Sequence, residues 1–442
     1  MADDKLDAVI VGGGLAGLAA AYCLSEAGRQ VLLLERGDEP GSKNVTGGRI
    51  YLAPIRPLLP GLFDNAPFER HVVKEALTMV DGRNTTTLSH VQDRWRHAPY
   101  MSYTVLRARF DQWLSAKAME KGAFVIPRRR VDNLLWEDGR VAGVRAGGEE
   151  ISAHVVIAAD GALSFMAEKA HLKQPLVPSK HAVAVKEVHG LESGAIEERF
   201  GLDAGEGAAH LFMGSITKGR FGGGFLYTNK ESLSVGLVLG MDALMQGPEQ
   251  FDVTLNQGPE QFDVPSLMGE FESLPEIAQY IKGAELKEYS AHIITEAGVG
   301  GLSRLFTDGM LVAGDAAGFA LNMGVTVRGM EFAVASGVIA ARVIDEALKK
   351  NDFSAQFLSL YEKRLKESFV MKDMETFRHT AEVLANPRLF TVYPACISSL
   401  LDAVFTIGEG PRKGLYRSAM DAVKKHAGAW SAFKDFLSLR KI

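Results

Sequence analysis

Apolar positions along this chain change their period several times, and each change predicts an element. Leu6 to Val11 is an unbroken apolar run, as in a strand buried on both faces, and the Ala/Leu-rich stretch after it predicts a helix ending near Gly28. The run VLLLE, closing at Glu35, predicts a second strand. From Arg107 the pattern turns helical, with Phe110, Trp113 and Leu114 on one face. Val141 to Arg145 and Ile151 to Ala158 predict strands of a meander, and Phe225 to Tyr227 with Leu233 to Leu239 a hairpin around Asn229-Lys230-Glu231. A further apolar strand delivers Asp315, and Gly324 to Gly329 is expected to open a long helix running to about Lys350. Another helix is expected over SLMGEFESLPEIAQYI, and the last hundred or so residues are expected to be helical. Strands alternating with helices place the chain in the α/β class.

The first strand–helix junction carries chemistry. Gly12, Gly14 and Gly17 of VIVGGGLAGLAAA stand where the strand turns into the helix, with Leu15 and Ala16 between them. Backbone without side chains approaches a pyrophosphate there, and the helix N-terminus aims unpaired N–H groups and a partial positive charge at it. Glu35 follows the second strand, where a carboxylate binds ribose hydroxyls. The strand before, the helix after and the acid beyond agree on dinucleotide binding.

A second motif selects FAD. In GMLVAGDAAGF, Gly314-Asp315 ends an apolar strand before a small-residue turn, which suits a carboxylate bonding a ribityl hydroxyl; the bland alternative is a helix cap. The helix expected from Gly324, Val325 and Thr326 would turn its N–H groups toward the flavin N1/C2 carbonyl and stabilise negative charge on reduced flavin. Arg107 stands at a helix start, where a guanidinium reaches a phosphate or the flavin edge; the alternative is a solvated arginine. Asp160-Gly161 closes HVVIAADG and is read as the turn beneath the cofactor.

These landmarks, in this order, resemble the glutathione-reductase-type FAD flavoproteins of the aromatic-hydroxylase and geranylgeranyl-reductase group. Lys43-Asn44-Val45-Thr46-Gly47-Gly48-Arg49, the stretch Gly222 to Tyr227 with the strand Ser232 to Leu239, and GDAAGFALNMGVTVRGMEFAVASG together resemble the FixC branch of the electron-transfer-flavoprotein:quinone oxidoreductases. The resemblance covers about residues 5 to 440. It implies a discontinuous FAD-binding Rossmann domain, an inserted mixed-sheet substrate or quinone domain, and a C-terminal helical region. It also implies Arg36, Lys43, Asn44, Gly47, Gly48 and Val131 as further cofactor contacts. The implied partners are a two-subunit electron transfer flavoprotein (FixA/FixB-like), a ferredoxin-like iron-sulfur subunit (FixX-like) and a membrane quinone. No side-chain acid or base is assigned; His210, His292 and Tyr227 are proton-donor candidates by residue type alone.

Composition narrows the picture. At 47% hydrophobic and 23% charged residues, the chain is an ordinary globular protein, and a net charge of −5 offers no basic field for nucleic acid. Arg128-Arg129-Arg130 is a short patch beside the cofactor. The acidic, polar start MADDKLD reads as no signal or transit peptide, so the expected location is the cytoplasm, at most peripherally on a membrane. Two cysteines, Cys23 and Cys396, exclude a CxxxxC disulfide and a four-cysteine cluster built from this chain alone. The FixC branch it resembles supplies the cluster in a separate ferredoxin-like subunit, so the resemblance implies that partner. Cys23 is read as a core residue of the first helix.

The expected domains are 1–55, 103–175 and 300–345 for the cofactor, 56–102 and 176–299 as inserts, and 346–442 as the helical tail. QGPEQFDV occurs at 246–253 and again at 257–264, a local duplication that lengthens a surface loop. Phe353 to Phe369 and Met374 to Leu384 are amphipathic. Pro387 to Ile407 is nearly apolar, suited to lying on a bilayer, to lining a quinone entrance or to burial as a core helix, with Pro394 expected to break it into pieces too short to span a membrane. Only one dinucleotide fingerprint occurs, so no dedicated NAD(P)H domain is expected. An NAD(P)H-dependent flavin monooxygenase, a geranylgeranyl-reductase-like enzyme and a non-catalytic FAD-binding scaffold share these features and stay open as alternatives.

Overall fold

The computed structural model describes residues 5–43, 48–245, 263–324 and 326–441. Asn44, Gly47, Val325 and the duplicated segment through residue 262 lie outside them. The chain divides into two compact units, one of residues 1–69, 94–181 and 292–378, the other of 70–93, 182–291 and 379–442. The helical tail is thus not a unit of its own: its first part packs in the first unit and the rest, from His379, belongs to the second.

The first unit is built on a parallel sheet in the order Met310–Val312, Glu149–Ala158, Leu6–Val11, Val31–Leu34, Phe124–Ile126. The central strand shows why the apolar runs are unbroken: Ala8, Val9 and Ile10 are fully buried, because helices cover both faces of a parallel sheet. The meander continues the chain antiparallel, Val131–Glu137 with Arg140–Ala146 and then Glu149–Ala158. The first helix, Leu15–Glu26, and the long helix Met330–Lys350 pack their small residues into this core. Each fully buried Leu or Ile there contributes about 1.5–3 kcal/mol by leaving water. Cys23 packs against the same core, and burial pushes its thiol up to about 12, which leaves it inert as a nucleophile.

The second unit carries a mixed sheet in the order Glu285–Thr295, His181–Gly190, Ser232–Gly240, Gly222–Thr228, Glu206–Gly214, His71–Asp81, Asn84–Val91. The hairpin expected around residues 229–231 is present, pairing Phe225 with Gly236 and Thr228 with Leu233. Its second strand is buried nearly throughout, whereas Asn84–Val91 is exposed along almost its whole length. The single helix expected over SLMGEFESLPEIAQYI is two, Val264–Glu272 and Pro275–Ile281, because Pro275 lacks the N–H a continuing helix needs and starts a new one at its first position. Phe271 of the first meets Phe212 of the sheet edge-on at 5.2 Å.

Pro394, by contrast, does not break its segment. It sits in the first turn of the helix Val392–Phe405, where a missing N–H costs nothing. Among the described residues, Pro387–Phe405 is the one helical stretch long and apolar enough to cross a membrane, and most of it is not buried.

His210 of the second unit is buried at 3% exposure, its Nε2 2.6 Å from Thr78 Oγ1, with Thr87 Oγ1 another 2.6 Å on and donating to Glu276 at 2.9 Å. Burial, aided by the Lys74 charge, lowers this imidazole from 6.5 to about 4. Between those values the unfolded chain takes up a proton that the fold refuses. Stability is therefore complete above 6.5 and falls as pH drops through the window, by about 3 kcal/mol at pH 4. His210→Gln will flatten the acid limb of urea-derived stability between pH 6.5 and 4; an unchanged limb would assign the loss to other groups.

Candidate cofactor site

The parallel strands of the first unit all deliver their carboxyl ends to one edge, and the motif residues sit there. Gly12 N donates to Leu34 O at 2.9 Å, Ala159 N to Val11 O at 2.8 Å, and Ala313 N to Ala158 O at 2.9 Å, so the glycine turn, Glu35, Asp160 and Gly314-Asp315 lie side by side. This is where ligands bind open α/β sheets. Gly12 has φ +106, and a Cβ on it would stand 2.3 Å from the Ala159 carbonyl oxygen. A Cβ on Gly17 would meet the Gly12 carbonyl at 2.1 Å. Gly14 caps the helix without a side chain and Leu15 and Ala16 fill its first turn, so backbone N–H groups face outward from the turn.

Glu35 is buried and holds the turn from the other side: one oxygen accepts from Gly13 N at 2.7 Å, the other from Gly37 N at 2.5 Å. Each oxygen keeps a lone pair for a ribose hydroxyl. The Glu35 carbonyl accepts from Arg129 N at 2.8 Å, which brings the chain to Val131, the buried first residue of its strand. Arg36 and Lys43 are exposed, and the Gly48 carbonyl accepts from Val105 N at 3.0 Å. The arginine patch is locally balanced, with Asp38 against Arg128, Glu149 against Arg129 and Asp132 against Arg130.

Asp160 turns out to organise its own turn. Its two oxygens accept from Ser164 Oγ at 2.8 Å and Met166 N at 3.0 Å, while Gly161 takes φ +82. Burial pushes its carboxyl up, and those two hydrogen bonds work against the rise.

Asp315 is different. Its carboxylate accepts no hydrogen bond among the described residues, though burial pushes its pKa up and the charges of His292, Arg107 and Lys173 pull the other way. A partly buried carboxylate in that state is a partner for an incoming hydroxyl. Arg107 opens the helix Arg107–Glu120 and forms a bidentate pair with the fully buried Asp111, both contacts at 2.8 Å. Burial opposes its charge, and Asp111 outweighs burial. His292 is lowered by burial, against the pull of Asp315. Of the proton-donor candidates, His292 alone belongs to this cluster; His210 and Tyr227 lie on the second unit's sheet, where Tyr227 stacks on Phe225 at 5.4 Å.

The helix expected from Gly324 begins at Met330. Leu321–Asn322 and Val327–Arg328 pair as a small hairpin first, with Gly324 at φ +94 and its N–H donated to Asn322 Oδ1 at 2.9 Å. Gly324 and Thr326 therefore form a turn, and the N-terminal N–H groups come from Met330 onward. Arg328 anchors that start, reaching the buried Glu331 at 2.5 Å and Asp373 at 2.6 Å.

Asp111, Lys173 and Glu296 were missed in the sequence. Asp111 has a signal, the four-residue spacing from Arg107 on one helix. Lys173 and Glu296 have none, since only tertiary packing buries them. Burial pushes Glu296 up to about 7, and Asn322 Nδ2 donates to it at 3.4 Å.

The glycine cradle, the buried Glu35 carboxylate and the Asp315 carboxylate, which accepts no hydrogen bond among the described residues, fit FAD. Residues 7–172 match the profile of FAD dependent oxidoreductases, and residues 379–442 that of the ETF-QO/FixC family C-terminal domain. Over 435 residues the chain is 42% identical to Protein FixC of Escherichia coli K12, covering 98% of each chain. It is 41% identical over 425 residues to the probable electron transfer flavoprotein-quinone oxidoreductase YdiS of the same organism, covering 96% of each, and 37% identical to Protein FixC of Azorhizobium caulinodans, covering 93% of each. Among solved structures, a geranylgeranyl bacteriochlorophyll reductase-like protein from Thermoplasma acidophilum shares the fold, with a TM-score of 0.68, 22% identity and 96% coverage of both chains. The chain is a FAD-dependent oxidoreductase of the ETF-QO/FixC family.

Proposed function

We propose that this protein takes electrons from a reduced electron transfer flavoprotein and passes them through its FAD to a membrane quinone, alongside a separate ferredoxin-like subunit. The observation that carries this reading is the full-length similarity to FixC and YdiS combined with the family's C-terminal domain. FAD when bound supplies a carrier that accepts an electron pair and releases it in one or two steps. The chain's own residues do the rest. Gly12 to Gly17 and Glu35 hold the dinucleotide end, Asp315 holds the ribityl chain, and Arg107, kept charged by Asp111, sets a fixed positive field beside it. Cys23 and Cys396 are too few to hold a four-cysteine cluster, which supports a cluster carried by the ferredoxin-like subunit.

The C-terminal segment supports a place on the cytoplasmic face of a membrane. Phe405, Ile407, Leu415, Tyr416, Trp430 and Phe436 are each at least 67% exposed, interleaved with Arg412, Lys413, Arg417, Lys424, Lys425 and Lys434. Large apolar side chains among basic ones suit an anionic bilayer surface.

The test is anaerobic absorbance of the flavin band, with quinone presented in phosphatidylglycerol-containing vesicles. Bleaching by reduced electron transfer flavoprotein, with the ferredoxin-like subunit present, and recovery only with vesicles that sediment the protein are the expected results. Rapid bleaching by NADPH with substrate-dependent oxygen uptake would overturn the reading in favour of a monooxygenase or an isoprenoid-reducing enzyme.

A further inference from the structure

The second unit holds a cluster of metal-ligating side chains that no part of the cofactor motif uses. Glu187 and His189 alternate by two on the strand His181–Gly190 and so share one face. Glu272, the last residue of the helix Val264–Glu272, reaches the same point. His189 Nε2 lies 2.8 Å from Glu272 Oε1 and 3.3 Å from Glu187 Oε2, and the three ligating atoms fall within 4.8 Å of one another. The imidazole is 8% exposed and the carboxylates 15% and 21%, so the cluster is inside the surface but open to water on one side.

Two carboxylates converge on one imidazole nitrogen, and that nitrogen carries at most one proton. Among the described residues neither carboxylate has a Lys or Arg partner. Glu272 also closes its helix at the carboxyl end, where the helix dipole is negative and disfavours an anion. A divalent cation neutralises both carboxylates and suits the dipole. Ligand bonds of about 2.0–2.2 Å to a tetrahedral ion place neighbouring donor atoms about 3.3–3.6 Å apart. The Glu187–His189 separation of 3.3 Å lies at the lower end of that range, the Glu272–His189 contact of 2.8 Å opens by about 0.5–0.8 Å to reach it, and the two carboxylate atoms stand within 4.8 Å of each other, so small side-chain adjustments close the site on an ion.

We propose that Glu187, His189 and Glu272 bind one divalent transition-metal ion, Zn2+ being the best fit to one imidazole and two carboxylates, with water in the fourth position. The ion clips the Val264–Glu272 helix onto the sheet, and its binding energy adds to the stability of the second unit because the unfolded chain offers no such site.

The experiment uses the full-length FAD-loaded protein, stripped with a chelator and titrated calorimetrically with ZnCl2 at neutral pH. One equivalent is expected to bind and to raise the melting temperature. Glu272→Gln and His189→Gln should each weaken binding at least about tenfold and abolish the thermal gain. Should either variant misfold, Glu187→Gln and zinc-edge X-ray absorption of the wild type decide: a first shell of one nitrogen and several oxygens supports the site, and a sulfur-containing or multi-imidazole shell overturns it. No zinc uptake, or uptake indifferent to these substitutions, would also overturn it and leave a proton shared between the imidazole and the carboxylates.

Discussion

Gly12→Ala is expected to yield folded protein stripped of flavin, with the ratio of flavin to protein absorbance falling at least about tenfold. Two costs add at this position. A non-glycine residue at φ +106 carries about 1–3 kcal/mol of backbone strain. The new methyl group would also stand 2.3 Å from the Ala159 carbonyl oxygen, 2.8 Å from its carbon and 3.0 Å from Asp160 Cα. Backbone cannot rotate aside as a side chain can, so the turn must move, taking with it the N–H groups proposed to hold the pyrophosphate. Gly161→Ala separates the two costs, since Gly161 has φ +82 but nothing within 4 Å of a Cβ. It should cost stability without emptying the site. Equal flavin content in the two variants would mean that the approach of Gly12 to Ala159 is not what shapes the cradle.

The second large effect concerns the other unit. Arg70→Met is expected to destabilise it by about 3–5 kcal/mol, read as a lowered urea midpoint. Arg70 is 1% exposed and its guanidinium serves three segments at once. Nε donates to the Asn229 carbonyl at 2.6 Å, Nη1 to Glu197 Oε1 and the Glu206 carbonyl at 2.9 Å each, and Nη2 to Ser193 Oγ at 2.7 Å and the Lys230 carbonyl at 3.0 Å. Methionine fills much of the volume and leaves these acceptors without a donor, which costs more than losing packing. Arg70→Lys should recover only part of the loss, because an ammonium cannot reproduce the planar fork. A midpoint unchanged in Arg70→Met would mean that water replaces the guanidinium at every acceptor.

The cofactor motif was legible because its parts are local. Gly12 to Gly17 and Glu35 lie on one strand–turn–helix–strand stretch, and backbone sterics at that junction dictate glycine whatever surrounds it. The hairpin around residues 229–231 and the helix from Arg107 were legible for the same reason, each having a period that one segment displays alone. Errors fell where two local signals compete. Gly324 to Gly329 reads as a helix start, yet two-residue strands on either side of Gly324 pair first. Pro394 reads as a helix breaker, and its effect depends on whether it falls in the first turn, which composition does not show.

By itself, the sequence determined the cofactor, the family, the parallel core and the positions of Gly12, Glu35, Asp160 and Asp315, since these depend on contiguous patterns and on the chemistry of individual residue types. Only the tertiary structure decided which groups are buried and paired. Arg70 became the tie of the second unit, Glu296 a carboxyl near neutrality, and Glu272 joined Glu187 and His189 in a single cluster. The physical reason is that burial, and pairings such as Arg70 with Glu197 or His189 with Glu272, arise between groups distant in sequence, and in this chain each unit is assembled from three separate segments, so no short window of residues contains both members of such a pair.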